Sequence, residues 1–208
     1  MTSHRDRRLH YLLLAILAGV MIWSWIAPAD RTTWWLESFP IFLALPVVFA
    51  TARSFPLTRL AYVLITYHAI ILLVGAHYTY EHVPLFNWVR DHFHLARNDY
   101  DRLGHLTQGF VPAIIAREIL IRRRIVSSAG WVTFLVLCVC MAISACYELL
   151  EWATAEILKS GADQFLGTQG DPWDTQWDMF SCLIGATLAL LLLSKLHNRE
   201  IARIESPV

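Results

Sequence analysis

The sequence predicts an all-α, polytopic membrane protein with six transmembrane helices and both termini in the cytoplasm. Hydrophobic residues make up 56% of its 208 residues, charged residues 16%, and the mean hydropathy is +0.45, a balance that soluble domains of this size rarely reach. Six segments approach the roughly 20 residues that cross the hydrocarbon core of a bilayer. Most basic residues fall on one side of that topology. We therefore predict one integral membrane domain, residues 1–208.

The six spans follow the apolar runs in chain order. The first is continuously apolar, the second is short, and the third carries a lone histidine. The fourth is interrupted by polar residues, while the fifth and sixth contain the plain runs "WVTFLVLCVCMAI" and "LALLLLSK". The predicted spans are Tyr11–Ala27, Phe39–Thr51, Leu60–Tyr78, Asp101–Leu120, Trp131–Thr154 and Asp174–Lys195.

The arginine and lysine residues predict the orientation. Of the 17 basic residues, 12 lie in the N-terminus, the second and fourth connections and the C-terminal tail. By the positive-inside rule, these segments are cytoplasmic. An even number of spans places both basic termini on that side, so six spans fit better than five or seven. The 12 residues are Arg5, Arg7, Arg8, Arg53, Arg59, Arg117, Arg122, Arg123, Arg124, Lys195, Arg199 and Arg203.

The first span also resembles a secretory signal, since a basic start and an apolar run precede the small residues Ala27–Ala29. The later helices need a first span to balance the topology. We therefore expect an uncleaved anchor.

Two connections, 80–100 and 156–173, are long and fall on the predicted periplasmic side. They are rich in aromatic residues, histidine, glycine and aspartate. Loops of this length are more often functional than incidental, although the aromatic residues equally suit a belt at the membrane interface.

The charge and the cysteines exclude several classes. The formal net charge is zero, which indicates no nucleic-acid partner. The four cysteines, Cys138, Cys140, Cys146 and Cys182, all lie inside apolar runs. A disulfide framework is therefore not expected, and no second pair completes a zinc-thiolate site.

The strongest signal is a polar seam on each of the last three spans. On each seam, polar residues recur at i, i+4 and i+7, which places them on one stripe of a helix. All three seams fall in the outer third of the membrane. A lone carboxylate facing lipid costs several kcal/mol, so we expect the seams to face one another. The seams are Asp101, His105 and Gln108; Ser144, Glu148 and Glu151; and Asp174, Asp178 and Ser181.

Carboxylates packed together repel one another, and three arrangements relieve the repulsion. A divalent metal, Zn²⁺, Mn²⁺, Mg²⁺ or Fe, could bind the acids with the histidine. Arg97 and Arg102 could neutralise two acids as ion pairs. Some acids could instead stay protonated, as proton relays require. The histidine among so many acids favours the metal; the predicted ligands are Asp101, His105, Glu148 and Asp178.

Two other polar residues are expected to have no role in the site. His68, alone in the third span, is expected to make a structural hydrogen bond. Glu118, beside Arg117 at the cytoplasmic end of the fourth span, is expected to be an interfacial charge.

Several motifs carry a resemblance to known families: "GAHYTY", "RNDYDRLGHLTQGF", "REILIR", "SACYELLEW" and "FLGTQGDPWDTQWDM". Together they resemble the YjdF-like family of bacterial inner-membrane proteins over roughly residues 10–197. The resemblance implies an inner-membrane location and no particular activity. More distantly, the Asp-x-x-x-His motif and the acids that follow resemble the VanZ-like proteins, a group linked to glycopeptide resistance. Those chains have fewer spans, so their topology is not transferred.

The favoured hypothesis is metal-dependent hydrolysis or group transfer on a lipid or envelope precursor, with membrane lipids as partners. Glu151 or Asp174 would be the general base. A transporter or proton-coupled carrier is the alternative, but the plain inner halves of the last two spans and the lack of a repeat do not favour it. A structural protein with the seams as helix glue is the third hypothesis. The predicted substrate-binding residues are Arg97, Arg102, His77, Gln108, Gln169 and Asp171.

Overall fold

The computed structural model describes residues 4–158 and 168–205, and within these residues the chain forms seven helices and no strand. This confirms the predicted all-α, multi-pass membrane architecture. The helices are α1 (His4–Trp25), α2 (Arg31–Thr51), α3 (Arg59–Tyr78), α4 (Pro84–Phe93), α5 (Tyr100–Arg122), α6 (Ala129–Leu158) and α7 (Asp174–Glu205).

The helix α5 differs from an ordinary membrane span. The five helices α1, α2, α3, α6 and α7 are long and apolar enough to cross a membrane, and α5 is not among them. Its 23 residues pack against α3, α6 and α7, and its polar His105, Thr107 and Glu118 are buried there. The predicted count of six apolar spans is therefore not exact. A polar helix is tolerated because its polar side chains face other helices.

The second span is longer than predicted. It begins at Arg31 rather than Phe39, because Asp30 caps the helix and accepts a 2.6 Å hydrogen bond from the Thr33 backbone N–H. That bond holds the pKa of the Asp30 carboxyl below its ordinary value. The earlier start places Glu37 inside the span, where its side chain is buried.

The predicted loop 80–100 contains the ten-residue helix α4. Pro84 stands in its first turn, where the missing backbone N–H is not needed. Leu85, Trp88 and Phe93 on this helix are exposed. Exposed apolar and aromatic side chains on a short helix are typical of one lying at a membrane surface.

Contacts at the helix ends define the directions of the helices. α5 and α7 run parallel, since Asp101 lies near Asp178 at their beginnings and Glu118 contacts His197 near their ends. α3 is antiparallel to α5, because Glu118 also contacts Thr58 at the start of α3. α1 is parallel to α3. The start of α1 and the end of α7 therefore share one end of the bundle, the Glu118 end; the opposite one is the Asp101 end.

We predict that the Asp101 end faces the periplasm. Asp91 on α4 and Ser127 between α5 and α6 are exposed at opposite ends. In a background with the native cysteines replaced, Asp91→Cys should react with an impermeant maleimide in cells whose outer membrane alone is permeabilised. Ser127→Cys should react only after the inner membrane is opened. The reverse pattern would show that the orientation is inverted.

Candidate functional site

Three helices bring five ionisable side chains together at the Asp101 end. α5 contributes Asp101 and His105, α6 contributes Glu148 and Glu151, and α7 contributes Asp178; we call these five the acid cluster. All are buried except Asp101, whose side chain is 13% exposed. The helical spacing of each seam places its members on one face, and the packing of α5 against α6 and α7 turns those faces inward.

His105 connects the acids of the cluster. Its Nε2 lies 3.6 Å from Asp101 Oδ1, and its Nδ1 lies 3.6 Å from Glu148 Oε1. One ligand atom each from Asp101, His105 and Asp178 lie within 4.8 Å of one another. Carboxylate oxygen and imidazole nitrogen are the donors that Zn²⁺, Mn²⁺ and Fe take in proteins. With small side-chain rotations, one cation could contact all three residues.

The cluster contains buried oxygen atoms that lack hydrogen-bond partners among the described residues. They are Oδ1 of Asp178 and Oε1 of Glu148. Asp178 is 2% exposed. Most buried polar groups in proteins are hydrogen-bonded, so each exception calls for an explanation such as water or an ion.

Arg97 closes the cluster on its outer side. Its guanidinium donates a hydrogen bond to Asp174, at the first turn of α7, and lies 3.9 Å from Asp101 and 4.0 Å from Asp171. Burial lowers the pKa of this guanidinium, but the bond to Asp174 and the nearby carboxylates outweigh burial, so its pKa is raised overall. Asp174 is thus held in an ion pair rather than presented to the cluster.

The other predicted substrate residues at this end form a polar rim above the cluster. Arg102 lies 3.1 Å from Asp171 and 3.2 Å from Asp99. Gln169 exchanges two 2.9 Å hydrogen bonds with the backbone of Asn98. These contacts tie the segment before α7 to the segment before α5.

The two remaining predicted residues lie in different places. Gln108 contacts the acid cluster, since its Oε1 lies 3.2 Å from His105 Nδ1. His77 belongs to the packing of α3 against α1, where its Nδ1 lies 3.1 Å from the Ser24 carbonyl and its ring packs on Trp23. His68 contacts the Thr107 carbonyl at 3.1 Å, in keeping with the expected structural bond.

Two residues that the sequence analysis did not select also reach the site. Glu37 on α2 is buried, and Tyr147 Oη on α6 lies 3.4 Å from its Oε2. The signal for Glu37 was a carboxylate within the apolar run "TTWWLESFPIFL". It was overlooked because the second span was predicted to begin at Phe39.

A cavity of about 560 Å³ adjoins the acid cluster. Its walls come from α1, α2, α3, α5 and α6, and most of its lining side chains are apolar. At one end it is lined by the polar residues Glu37, Asp101, His105, Gln108 and Tyr147. The volume is within the range of about 300–1,000 Å³ typical of ligand sites.

The prediction for Glu118 is wrong. It is not an interfacial charge but is fully buried, and it contacts Thr58, Arg122 and His197. The sequence analysis did not select His197, because it stands among the charged residues that follow the last apolar run. The parallel packing of α7 against α5 brings the two side chains together.

The fold and the site thus define a multi-pass helical membrane protein with buried acids at one end. The chain belongs to the family described as "Predicted membrane protein (DUF2238)", which matches residues 9–199. It is 50% identical over 187 residues to the inner membrane protein YjdF of Escherichia coli (strain K12), and the match covers 90% of each chain. These findings confirm the predicted family and location. No solved structure matches the chain.

Proposed function

We propose that the protein binds a divalent metal ion at the acid cluster and acts as a hydrolase or group transferase on a lipid or envelope precursor. The observation that carries this proposal is the convergence of Asp101, His105 and Asp178 within 4.8 Å. Oδ1 of Asp178 is buried there without a hydrogen-bond partner among the described residues, as expected of an atom reserved for a ligand.

The charge of the cluster also supports a cation. The cluster holds four carboxylates and one imidazole in a region of low dielectric constant, where repulsion between like charges is strong. Arg97, which lies 3.9 Å from Asp101, is shared among Asp99, Asp101, Asp171 and Asp174. A divalent ion offsets two further negative charges.

The residues divide into three roles. Asp101, His105 and Asp178 hold the ion, with Glu148 beside His105 as the fourth ligand. A bound divalent cation supplies Lewis-acid polarisation of a phosphoryl or carbonyl oxygen. Asp174 is engaged by Arg97, which leaves Glu151 to accept a proton from the attacking water. Arg102, at the rim, can donate charge-assisted hydrogen bonds to an anionic head group.

A transport function fits the packing less well. Between the acid cluster and the Glu118 end lies a layer of fully buried apolar side chains, among them Ile114, Val136, Ala186 and Ala189. A dry layer of this kind offers no polar path for an ion or a polar solute. If the acid cluster has only a structural role, the following experiment would show that it binds no metal.

Elemental analysis of the protein purified in detergent tests the proposal. After separate incubation with Zn²⁺, Mn²⁺, Mg²⁺ or Fe²⁺ and gel filtration, we expect about one ion per chain for one of these metals, as for a single mononuclear site. Asp178→Ala and His105→Ala should lose that metal. Asp178→Asn preserves the side-chain volume and should lose it as well.

His77→Ala is the matched control, because it removes an imidazole that packs against α1 instead of the acid cluster. It should keep the metal. If the native protein elutes as a single folded species and binds none of the four metals, the proposal fails and the cluster is structural or protonated.

A further inference from the structure

We infer that the cavity beside the acid cluster binds an acyl chain of a membrane phospholipid, which enters from the bilayer between α2 and α6. The inference names a phospholipid as the substrate class for the proposed function. Only the placement of the head group rests on that proposed function. The walls, the opening and the polar end of the cavity each support the inference.

The walls match an aliphatic chain. Leu17, Leu72 and Val111, from α1, α3 and α5, line the inner part of the cavity and are buried. They offer hydrocarbon surface without hydrogen-bonding groups, so a polar ligand would lose its hydration there without compensation. Burial of an aliphatic chain against this surface carries no such cost.

The opening faces lipid. Leu43 on α2 and Ile143 on α6 both line the cavity, yet their side chains are 60% and 39% exposed. Both stand within apolar helices long enough to cross a membrane, so the solvent at their exposed faces is hydrocarbon. The acyl chains of the bilayer therefore have direct lateral access to the cavity.

A contact between α2 and α6 bridges the opening near its polar end. At the Asp101 end, Tyr147 Oη lies 3.4 Å from Glu37 and links α6 to α2. Leu43 and Ile143 lie six and four residues further from this link, or roughly 6–9 Å deeper at about 1.5 Å per residue. The opening thus extends to the depth of the acyl chains.

The polar end of the cavity joins the acid cluster. Asp101 and His105 line the cavity and also belong to the metal-ligand set. A lipid whose chain fills the apolar part therefore has its polar portion directed toward these residues. An anionic phosphate can lie among carboxylates only with a cation between them, and this is the step that rests on the proposed function.

Photolabelling tests the inference. The full-length protein is reconstituted in vesicles of phosphatidylethanolamine and phosphatidylglycerol with a trace of phosphatidylglycerol that bears a diazirine on one acyl chain. After illumination, labelled peptides are located by mass spectrometry. We expect label on the buried Leu72 and Val111, which lipid around the bundle cannot reach, as well as on the exposed Leu191.

The variant Ile143→Trp narrows the entrance. It should reduce the labelling of Val111 roughly tenfold, because the acyl chain would occupy the cavity less often. Leu191→Trp, on the lipid-facing side of α7, is the matched control and should leave Val111 labelling unchanged. Absence of label at Leu72 and Val111 in the native protein, or equal labelling in Ile143→Trp, would overturn the inference.

Metal content measured on the same samples separates this inference from the proposed function. Labelling of the cavity in protein that binds no metal supports the lipid site and refutes the metal site. Stoichiometric metal without label at Val111 supports the metal site and refutes the lipid site. Ile143→Trp should keep its metal, since Ile143 is not a ligand and stands five residues, about 7.5 Å along α6, from Glu148.

Discussion

A Gly109→Ala variant is expected to unfold at a much lower temperature than the native protein. A Cβ at position 109 would collide with the backbone carbonyl of Cys182 and lie 2.9 Å from the backbone nitrogen of Ala186. Gly185 on α7 meets the Leu106 carbonyl of α5 in the same way. The two glycines thus let the helix backbones touch, as small residues do in membrane proteins.

The obstacle at Gly109 is backbone, so no side-chain rotation relieves it. Overpacking typically costs about 1–3 kcal/mol, and separation of α5 from α7 puts this case at or above the upper value. A loss of about 3 kcal/mol corresponds to a fall in Tm of roughly 6–12 °C for a chain of this size. Thermal denaturation in detergent, followed by the monodisperse fraction on gel filtration, measures this fall.

Gly19→Ala is the matched control. Apart from the backbone of its own helix, no atom of the described residues lies within 4 Å of a Cβ built at Gly19, although Gly19 also stands inside a helix. This variant should melt at or slightly above the native temperature, because alanine is the better helix former. Equal melting temperatures for Gly109→Ala and the native protein would mean that α5 and α7 do not pack as described.

Glu118→Ala is expected to destabilise the Glu118 end of the bundle by about 3–5 kcal/mol, the usual cost of removing one partner of a buried ion pair. Its carboxylate accepts hydrogen bonds from Thr58 N–H at 2.9 Å, Thr58 Oγ1 at 2.7 Å and Arg122 Nη1 at 2.7 Å. His197 Nε2 lies 3.1 Å away. Because Arg117 donates to His197 Nδ1, Nε2 carries the proton and donates to Glu118.

Removal of this carboxylate leaves the His197 N–H buried without its acceptor and leaves Arg122 with the Pro56 carbonyl but no carboxylate partner. It also removes a link from α5 to α3 and α7. Denaturation in detergent measures the loss. Glu200→Ala is the control, since Glu200 pairs with Arg203, whose side chain is 69% exposed. The Glu200 side chain is 13% exposed, but its partner lies in solvent, and a pair of this kind contributes about 0–1 kcal/mol. If the two variants were equally stable, Glu118 would not hold these helices together.

Local patterns were sufficient to predict most of the helices. The apolar runs predicted α1, α3, α6 and α7, because burial of hydrocarbon in lipid depends on composition and length alone. The start of α2 was missed, since Asp30 caps the helix upstream of the apolar run. The helix α4 was missed because it has only ten residues, and a short helix gives a weak periodic signal.

The seams on the last three spans were visible as i, i+4, i+7 patterns, and the structure brings Asp101, His105, Glu148, Glu151 and Asp178 together. The pattern gives each residue's azimuth on its own helix. It does not say which neighbour meets that face. It therefore left open which acid Arg97 would pair with, and it did not place Glu37 of α2 beside the cluster.

By itself, the sequence determined that the chain lies in a membrane, roughly where its helices run, and which face of each carries polar groups. These properties depend on composition and on the 3.6-residue period, both of which are local. Only the tertiary structure decided that Glu118 is buried with His197, that α5 is a polar helix packed against apolar ones, and that a lipid-accessible cavity opens between α2 and α6. Those features arise from contacts between residues distant in sequence, and close approaches such as Gly109 to α7 determine them.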